Sequence, residues 1–460
     1  MNWKLKTLNV SSLWWLSLLV ILFFFHSNHP LNSDEGVILE GAWNLINGKQ
    51  LYYDFFEFIP PASFYLIYWA WLSFGISYFV AKFLSLLLIF FSSIFIFKIS
   101  NQLTSSKFNY FPPFLFLISS FAWPVINHNV FNLFFIITAS YFFIKGLNGG
   151  GDNLKNFLIS GLLAGLSTLF LQQKGMVILG IFLSFLLILT VKQKTILWLK
   201  HSLVLPVSFL LPLTLLIIKW PAKLLYQNLI IFPSINYLAV NKVPLFLFLL
   251  YLIILLINIF LLKSKWSIKL WFLFYLQFIL LLTTLARPDY FHLTLLIFPL
   301  YALIPLLLQQ ASHDYIFKYY SGIIIAVYSL IIIVPVTISL YFFPPFSSID
   351  KLPTLNFIKN NCNQSSYIYA GPFNPGLYFE TRKLNPTPYS FLITNHHTPE
   401  QFEQAKKYLE KNLPACAILN YVTVEKFNYN KNNPVDNFIF SNYNFVLRSG
   451  NNLIYKIKTN

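Results

Sequence analysis

Five carboxylates lie close together in one stretch of a very apolar chain. The stretch is SDEGVILEGAWNLINGKQLYYDFFEFIPPASFYLIYWAWLSFG, residues 33–75, and it holds a third of the 15 acidic residues of the protein: Asp34, Glu35, Glu40, Asp54 and Glu57. Acidic side chains beside a membrane-spanning segment are costly, and they usually mark a functional site. A carboxylate placed there could accept the proton of a hydroxyl group during group transfer.

The local pattern predicts how this stretch folds. Ser33 is expected to cap a short helix that has Asp34 and Glu35 in its first turn, and Gly48 is expected to follow its end. Pro60-Pro61 then opens a second helix, residues 62–74, whose Tyr and Trp rings suit a membrane–water interface. The acids are therefore predicted to lie on a folded external loop, residues 27–77, which we call the first loop.

The composition shows which elements must position this loop. The 460-residue chain is 57% hydrophobic and 10% charged with a mean hydropathy of +0.63, which excludes an ordinary soluble enzyme. A membrane span needs about 20 apolar residues. Eleven segments approach this length, and the predicted fold is a polytopic α-helical membrane protein with spans near 10–26, 78–98, 109–125, 130–145, 157–172, 176–191, 202–219, 244–262, 270–286, 293–309 and 321–343.

The basic residues predict the orientation. The net charge of +17 does not indicate nucleic-acid binding, because most lysines lie in short loops on one side of the predicted spans. That side is predicted to be cytoplasmic, with the N-terminus there and the first span retained as a signal anchor. The polar clusters then share the extracytoplasmic side: the first loop and residues 127–129, 172–174, 220–243 and 287–292.

The composition changes at about residue 346, which divides the chain into a membrane domain, 1–345, and a C-terminal domain, 346–460. Residues 398–412 predict a helix, and the flanking runs SYIYAG, ACAILNYV, FVLRS and NLIYKIK predict strands. A small extracytoplasmic α/β domain is therefore expected. Cys362 and Cys416 could form one disulfide there or remain two free thiols.

The ordered features of the first loop resemble those of the GT-C glycosyltransferases. These features are the Asp-Glu pair at a helix start, the turn Gly…Tyr-x-Asp, Pro-Pro, an aromatic helix and a closing Phe-Gly. The resemblance is good over residues 10–100, continues weakly beyond, and is nearest to the protein O-mannosyltransferase and lipid A aminoarabinose transferase group. It implies a GT-C-like fold and an inverting transfer of a sugar from a polyprenyl-phosphate donor on the extracytoplasmic face.

The resemblance also places Asp34 in the active site, facing the carried sugar, and we expect it to be the catalytic base. The alternative is an acid that only stabilises the start of its helix. Glu35 is a second catalytic candidate on another side of that helix. Tyr53 and Asp54 are substrate-binding candidates, although Asp54 fits equally well as a turn residue bonded to nearby backbone.

The sequence departs from the family at the outer end of the fourth span. Relatives often carry a second acid there, whereas this chain reads WPVINHNVFNLFF with His128 in that place. His128 is a candidate hydrogen-bonding group or second base. It could equally belong to a short loop without a chemical role. With no clear second acid, we predict no metal ion and no other cofactor, and a divalent cation is left as the alternative.

Phosphate binding is expected from cations on the same face. Lys174 lies in an apolar context where a charge is costly unless it is paired, and Arg287 has a planar fork that grips phosphate oxygens. Asp289 is a further substrate-binding candidate, although it could instead form a purely structural clasp with Arg287. His292 is predicted to be a polar contact near the pocket.

Three other functions remain open at this stage. A transporter or flippase of lipid-linked sugars would be expected to carry charges at mid-span and internal repeats, which do not show here. A polymerase of lipid-linked sugars and a catalytically inactive scaffold are the others. The Lys-, Asn-, Ile- and Phe-rich composition favours a bacterial inner membrane and an undecaprenyl carrier. The sugar and the lipid, glycan or protein acceptor are not specified.

Overall fold

The computed structural model describes residues 10–27, 31–148, 153–194, 196–237, 245–311, 315–342 and 352–458. The membrane part of this range consists of helices. They are α1 (Val10–Ser27), α2 (Ser33–Ile46), α3 (Ala62–Phe74), α4 (Tyr78–Leu103), α5 (Phe111–Ser119), α6 (His128–Gly146), α7 (Asn153–Phe170), α8 (Gln172–Gln193), α9 (Leu197–Lys219), α10 (Ala222–Tyr226), α11 (Phe246–Leu262), α12 (Ile268–Leu282), α13 (Tyr290–Leu295), α14 (Phe298–Ala311) and α15 (Tyr315–Phe342).

Five of the described helices are long and apolar enough to cross a membrane. They cover Tyr78–Leu103, His128–Gly146, Gln172–Gln193, Leu197–Lys219 and Gly322–Tyr341. Four shorter apolar helices accompany them: Leu13–His26, Phe246–Leu262, Ile268–Leu282 and Phe298–Gln310. Each of the eleven predicted segments overlaps a helix. The number of membrane crossings stays a prediction.

The first loop folds largely as the pattern predicts. The helix α2 begins at Ser33, but its cap is Asn32, whose side chain accepts from the Asp34 N–H while Glu35 reaches back to the Asn32 backbone. Gly48, with φ +80°, follows its end, and α3 spans the predicted residues 62–74. One residue therefore separates the predicted cap from the observed one.

The C-terminal domain is a small sheet with helices around it. The helices are α16 (Leu352–Asn361), α17 (Gly376–Thr381), α18 (Pro399–Lys411) and α19 (Pro434–Asn442), and the strands are β1 (Tyr369–Pro372), β2 (Cys416–Asn420), β3 (Tyr443–Ser449) and β4 (Asn452–Ile457). The sheet order is β1-β2-β4-β3, with β1 and β2 parallel and the other pairs antiparallel.

All four predicted strands and the predicted helix form in this domain. Thr398 caps α18 in a capping box with Gln401, and Phe402, Ala405 and Leu409 are buried on one face of the helix. Cys362 and Cys416 form a disulfide, which is one of the two alternatives that the sequence left open. It joins the end of α16 to β2. The predicted boundary at residues 345/346 lies outside the described residues.

The first loop lies between the helical body and the C-terminal domain. The Trp43 indole N–H donates to the Lys383 carbonyl oxygen over 3.0 Å, and the Trp71 and Phe379 rings stack at 4.9 Å. The helices α2 and α17 meet at Gly36, where an added Cβ would lie 2.5 Å from the Gly376 backbone nitrogen. This close approach places the start of α2 directly under the C-terminal domain.

Replacing Gly36 by alanine is therefore expected to loosen this junction. The added methyl group would meet backbone rather than a flexible side chain, so the two helices must separate at a cost of about 1–3 kcal/mol. Chemical denaturation in detergent micelles would measure the change. The matched control is Gly180→Ala in α8, where nothing lies within 4 Å of an added Cβ. A Gly36→Ala protein as stable as the Gly180→Ala protein would contradict the prediction.

Candidate active site

A cavity opens where the first loop, the helical body and the C-terminal domain meet. Its volume is about 420 Å³. Five side chains that the sequence singles out line it together: Asp34, His128, Lys174, Arg287 and His292. They come from the start of α2, the start of α6, the start of α8, the α12–α13 connection and α13. Segments far apart in sequence thus bring one acid and several basic groups to one place.

Asp34 is the carboxylate of this cavity. Among the described residues that line it, no other side chain is acidic. The side chain is exposed, and the N-cap role at this helix start is taken by Asn32, whose Oδ1 lies 2.8 Å from the Asp34 nitrogen. Because Asn32 supplies the cap, the Asp34 carboxylate is not needed for that role, and it lines the cavity.

Glu35 lies outside the cavity and is only 2% exposed. Its Oε1 accepts from the backbone N–H groups of Val125 and Ile126 at 3.0 and 3.2 Å and pairs with Lys82 Nζ at 3.4 Å. Its Oε2 accepts from the Tyr78 hydroxyl at 2.9 Å. Burial alone would raise the pKa of this carboxyl, but the Lys82 charge and the hydrogen bonds outweigh burial and lower the pKa.

These contacts make Glu35 a positioning group rather than one that meets substrate. It is adjacent to Asp34 in α2, and its backbone partners immediately precede Asn127 and His128. One carboxylate therefore ties the segment that carries Asp34 to the segment that carries His128. The structure does not bring Glu35 itself to the cavity.

His128 is the first residue of α6 and lines the cavity. The N-cap is Asn127, whose Oδ1 accepts from the Asn129 N–H at 2.8 Å. The His128 Nε2 lies 3.0 Å from Nδ2 of the Asn129 side chain. The His128 side chain therefore does not cap the helix, and it occupies the position where relatives often carry a second acid.

Arg287, Asp289 and His292 form one network at the cavity wall. Arg287 Nε donates to Asp289 Oδ2 at 2.7 Å, and His292 Nδ1 lies 2.7 Å from Asp289 Oδ1. Burial raises the pKa of Asp289, but the contacts with His292 and Arg287 prevail and lower it to about 2. Asp289 does not line the cavity. It is an anchor that orients Arg287 and His292, so the predicted clasp exists and both its partners face the site.

Lys174, in the first turn of α8, also lines the cavity. Its Nζ lies 3.5 Å from the Thr283 hydroxyl oxygen. The neighbouring Gln172 donates through Nε2 to the Leu229 carbonyl oxygen at 2.7 Å. This bond joins the start of α8 to a π-helical turn, Gln227–Ile231. A second π-helical turn, Pro233–Tyr237, follows, and its Pro233 and Ser234 line the cavity.

Besides Asp289, two predicted substrate-binding residues lie outside the cavity. Asp54 Oδ2 accepts from the Gln50 backbone N–H at 2.7 Å, which is the turn arrangement considered as its alternative. Tyr53 is 56% exposed and does not line the cavity. The structure therefore does not bring Tyr53 or Asp54 to the site, because the turn directs both side chains away from it.

The C-terminal domain supplies cavity residues that were not predicted from the sequence. They are His396 and Lys426 with the aromatic rings of Phe373, Phe391 and Phe427. Burial lowers the pKa of His396 to about 4, and the positive charges of Arg287 and Lys426 act in the same direction. Nothing in the local sequence marks these residues, since only domain docking places them over the first loop.

The described part of the cavity holds one carboxylate, that of Asp34, and three basic side chains: Lys174, Arg287 and Lys426. Cations in a partly enclosed site favour an anionic ligand such as a phosphate. Within the described ranges, no three His, Cys, Asp or Glu side chains are grouped so as to hold a metal ion. One carboxylate does not fit the oxygen-rich set that a divalent cation prefers. Metal independence stays a prediction.

Fold and site together define a polytopic membrane protein whose C-terminal α/β domain lies over the first loop, with a cavity between them. No protein-family model matches the sequence. No curated protein matches it either.

Solved structures do match, over nearly the whole chain. ArnT from Cupriavidus metallidurans bound to undecaprenyl phosphate has a TM-score of 0.63 at 13% identity, with 96% of this chain and 97% of that chain covered. Its apo state has a TM-score of 0.61. The Archaeoglobus fulgidus oligosaccharyltransferase AglB, in complex with an inhibitory peptide and a dolichol-phosphate, has 0.57 at 11% identity, with 98% and 75% covered. The chain has the GT-C fold of these membrane proteins.

Proposed function

We propose that this protein is a membrane glycosyltransferase that moves a sugar from a polyprenyl-phosphate carrier to a hydroxyl-bearing acceptor. The single observation that carries the proposal is the placement of Asp34 in one cavity with Lys174, Arg287 and Lys426. A carboxylate and a cluster of cations are the two groups that such a reaction needs. The fold shared with ArnT and AglB, whose structures contain undecaprenyl phosphate and dolichol-phosphate, supports the donor class.

The proposed reaction is a single inverting displacement. The acceptor oxygen attacks the anomeric carbon and forms the new glycosidic bond, while its proton passes to the Asp34 carboxylate. The bond from the anomeric carbon to the phosphate oxygen breaks, and its electron pair leaves on the polyprenyl phosphate. Arg287 and Lys174 stabilise the charge that develops there, and His128 and His292 act as hydrogen-bonding groups beside them.

The reaction is proposed to take place on the extracytoplasmic face of a bacterial inner membrane. The Cys362–Cys416 disulfide supports this side, since such bonds persist in oxidising compartments. The lysine-rich loops predicted on the other side agree with it. Domain 346–460 then lies outside the membrane and forms the upper wall of the site.

The test uses the full chain in lipid nanodiscs or vesicles with a labelled pool of polyprenyl-phosphate sugars. A transferase is expected to release free polyprenyl phosphate and to move the label to an acceptor. Labelled donor that stays intact but changes leaflet in vesicles would replace the proposal by a transporter. Donor that stays intact in its original leaflet would favour a scaffold.

Arg287→Gln is expected to weaken donor binding in this assay. A hydrogen bond to a charged group contributes about 1.5–3 kcal/mol, so the donor KM should rise roughly 10- to 150-fold. The matched control is Lys223→Gln, which removes an exposed cation of α10 that does not line the cavity. An Arg287→Gln protein with the same donor KM as this control would show that Arg287 serves only its clasp with Asp289.

A further inference from the structure

Two buried carboxylic acids lie outside the cavity, where the first loop meets the C-terminal domain. They are Glu40, in α2, and Glu57, just before α3, and each is 1% exposed. Neither lines the cavity, so the proposed reaction does not use them. Burying two acids in one interface is costly, which calls for a physical reason.

Both acids hold the same piece of the C-terminal domain. Asn385 Nδ2 donates to Glu40 Oε1 at 2.9 Å, and the Ser390 hydroxyl donates to Glu57 Oε1 at 2.5 Å. Between these contacts, the Phe56 N–H donates to the Pro388 carbonyl oxygen at 2.8 Å. We call residues 385–397 the seam segment. The first loop contacts the seam segment along the first half of that segment.

The second half of the seam segment forms part of the cavity. Phe391, Ile393 and His396 line it, beginning one residue after the contact with Glu57. His397, the last residue of the segment, packs its ring against Phe56 and Phe391. The acids therefore act on the site through the wall that they hold in place.

The surroundings of the two acids favour their neutral forms. Burial raises the pKa of Glu57 to about 8, with the Ser390 hydrogen bond opposing and the charge of Glu40 adding to the rise. Burial also raises the pKa of Glu40, against the Asn385 hydrogen bond and the nearby Lys49. The Asn44 side chain also favours the charged form of Glu40, but burial outweighs all of these contacts. An ionised carboxylate would be poorly compensated there.

Other titratable groups face the same interface. The Lys49 ammonium donates to the Asn385 carbonyl oxygen at 3.3 Å and feels the charges of Glu40 and Asp54. The phenols of Tyr52 and Tyr378 lie near Glu57 and Glu40 respectively, and burial raises the pKa of each well above its usual value. Both phenols therefore stay neutral, and Lys49 is the cation that partly offsets ionisation of Glu40.

We propose that Glu40 and Glu57 are positioning residues that hold the seam segment, and with it the C-terminal wall of the cavity, in place while they are protonated. The inference about this wall follows from the contacts themselves. Its effect on sugar transfer rests on the proposed function. The site would then be assembled most completely at mildly acidic pH.

Proton binding to the two acids makes docking of the seam segment depend on pH. In a released segment the acids return to ordinary values near 4.5, whereas in the docked state Glu57 keeps its proton up to about pH 8. Docking therefore takes up a proton between these limits, and its equilibrium constant falls about tenfold per pH unit for each such acid. Docking of the seam segment is strongest below pH 4.5. By about pH 8 the contribution of the protonated acids to docking is lost.

Hydrogen–deuterium exchange of the seam segment tests the proposal on the full chain in nanodiscs without donor. After correction for intrinsic exchange rates, the protection factors of residues 391–396 should fall at least tenfold per unit between pH 6 and 7.5. Glu57→Gln keeps an acceptor for the Ser390 hydroxyl but cannot ionise. In this variant the protection factors should therefore fall about tenfold less per pH unit than in the parent. Adding Glu40→Gln should remove the remaining decline.

The matched control is Glu403→Gln, an exposed acid on α18 of the same domain, which should keep the parent slope. Equal corrected protection in the parent at pH 6 and 7.5 would overturn the proposal. A Glu57→Gln decline as steep as that of the parent would also overturn it. Both readouts are independent of catalysis, so they remain decisive if a variant is inactive.

Transfer assays separate this proposal from the proposed function. Parent transfer should fall from pH 6 to 8 more steeply than transfer by the double Gln variant. If no sugar is transferred but the exchange slopes are as expected, the proposed function fails and the positioning role stands. If transfer occurs with flat exchange slopes in the parent, the positioning role fails alone.

Discussion

Asp34→Asn is expected to reduce the rate of sugar transfer by about 10²- to 10⁴-fold, the range associated with loss of a general base. The amide keeps the size of the side chain but cannot accept the acceptor proton. The donor KM should change little, because the phosphate is assigned to Arg287 and Lys174 on other elements. Release of polyprenyl phosphate in nanodiscs, at matched protein levels, measures both quantities.

Asp54→Asn is the matched control for this experiment. It removes a carboxylate from the same first loop, but one that is occupied by the Gln50 backbone and lies away from the cavity. Its transfer rate should remain within about twofold of the parent. Equal rates in the Asp34→Asn and Asp54→Asn proteins would reduce Asp34 to an acid at a helix start and leave His128 as the candidate base.

The second large effect is expected at Glu35. Glu35→Gln removes the charge that partners Lys82, which is 3% exposed, and leaving a buried ion without its counter-charge typically costs about 3–5 kcal/mol. Chemical denaturation in detergent micelles gives the free energy of unfolding. Transfer should fall as well, because the uncompensated Lys82 charge lies beside the contact that joins the segments carrying Asp34 and His128.

A double-mutant cycle separates the ion pair from the hydrogen bonds. Glu35→Gln combined with Lys82→Met keeps an acceptor for the Val125 and Ile126 N–H groups while removing both charges. It should regain most of the lost stability, because replacing both members of a buried pair is often neutral. A single Glu35→Gln variant within about 1 kcal/mol of the parent would show that the pair does not hold the site.

The sequence predicted well those features that depend on local pattern. Hydrophobic length located the helices, and Thr398 with Gln401 marked the start of α18. The shared side of the polar clusters was enough to group Asp34, His128, Lys174, Arg287 and His292, which line one cavity. Topology alone carried that inference, since it placed all of them at the same ends of the helices.

What the sequence could not show depends on packing between distant segments. Glu35 and Asp34 are neighbours in the chain, yet only the approach of α4 and residues 125–126 buries one of them and leaves the other in the cavity. His396 and Lys426 have no local signal, because domain docking brings them to the site. The same docking buries Glu40 and Glu57, which in sequence look like ordinary loop acids.

The junction between α2 and the C-terminal domain has a consequence for biosynthesis. Glu40 and Asn385 are 345 positions apart, so one half of this contact leaves the ribosome long before the other. At 5–20 residues per second, the interval is on the order of tens of seconds. During that time α2 is already made, but the wall that completes the cavity does not exist. On the proposed function, we therefore expect a chain that lacks this wall to release no polyprenyl phosphate from its donor.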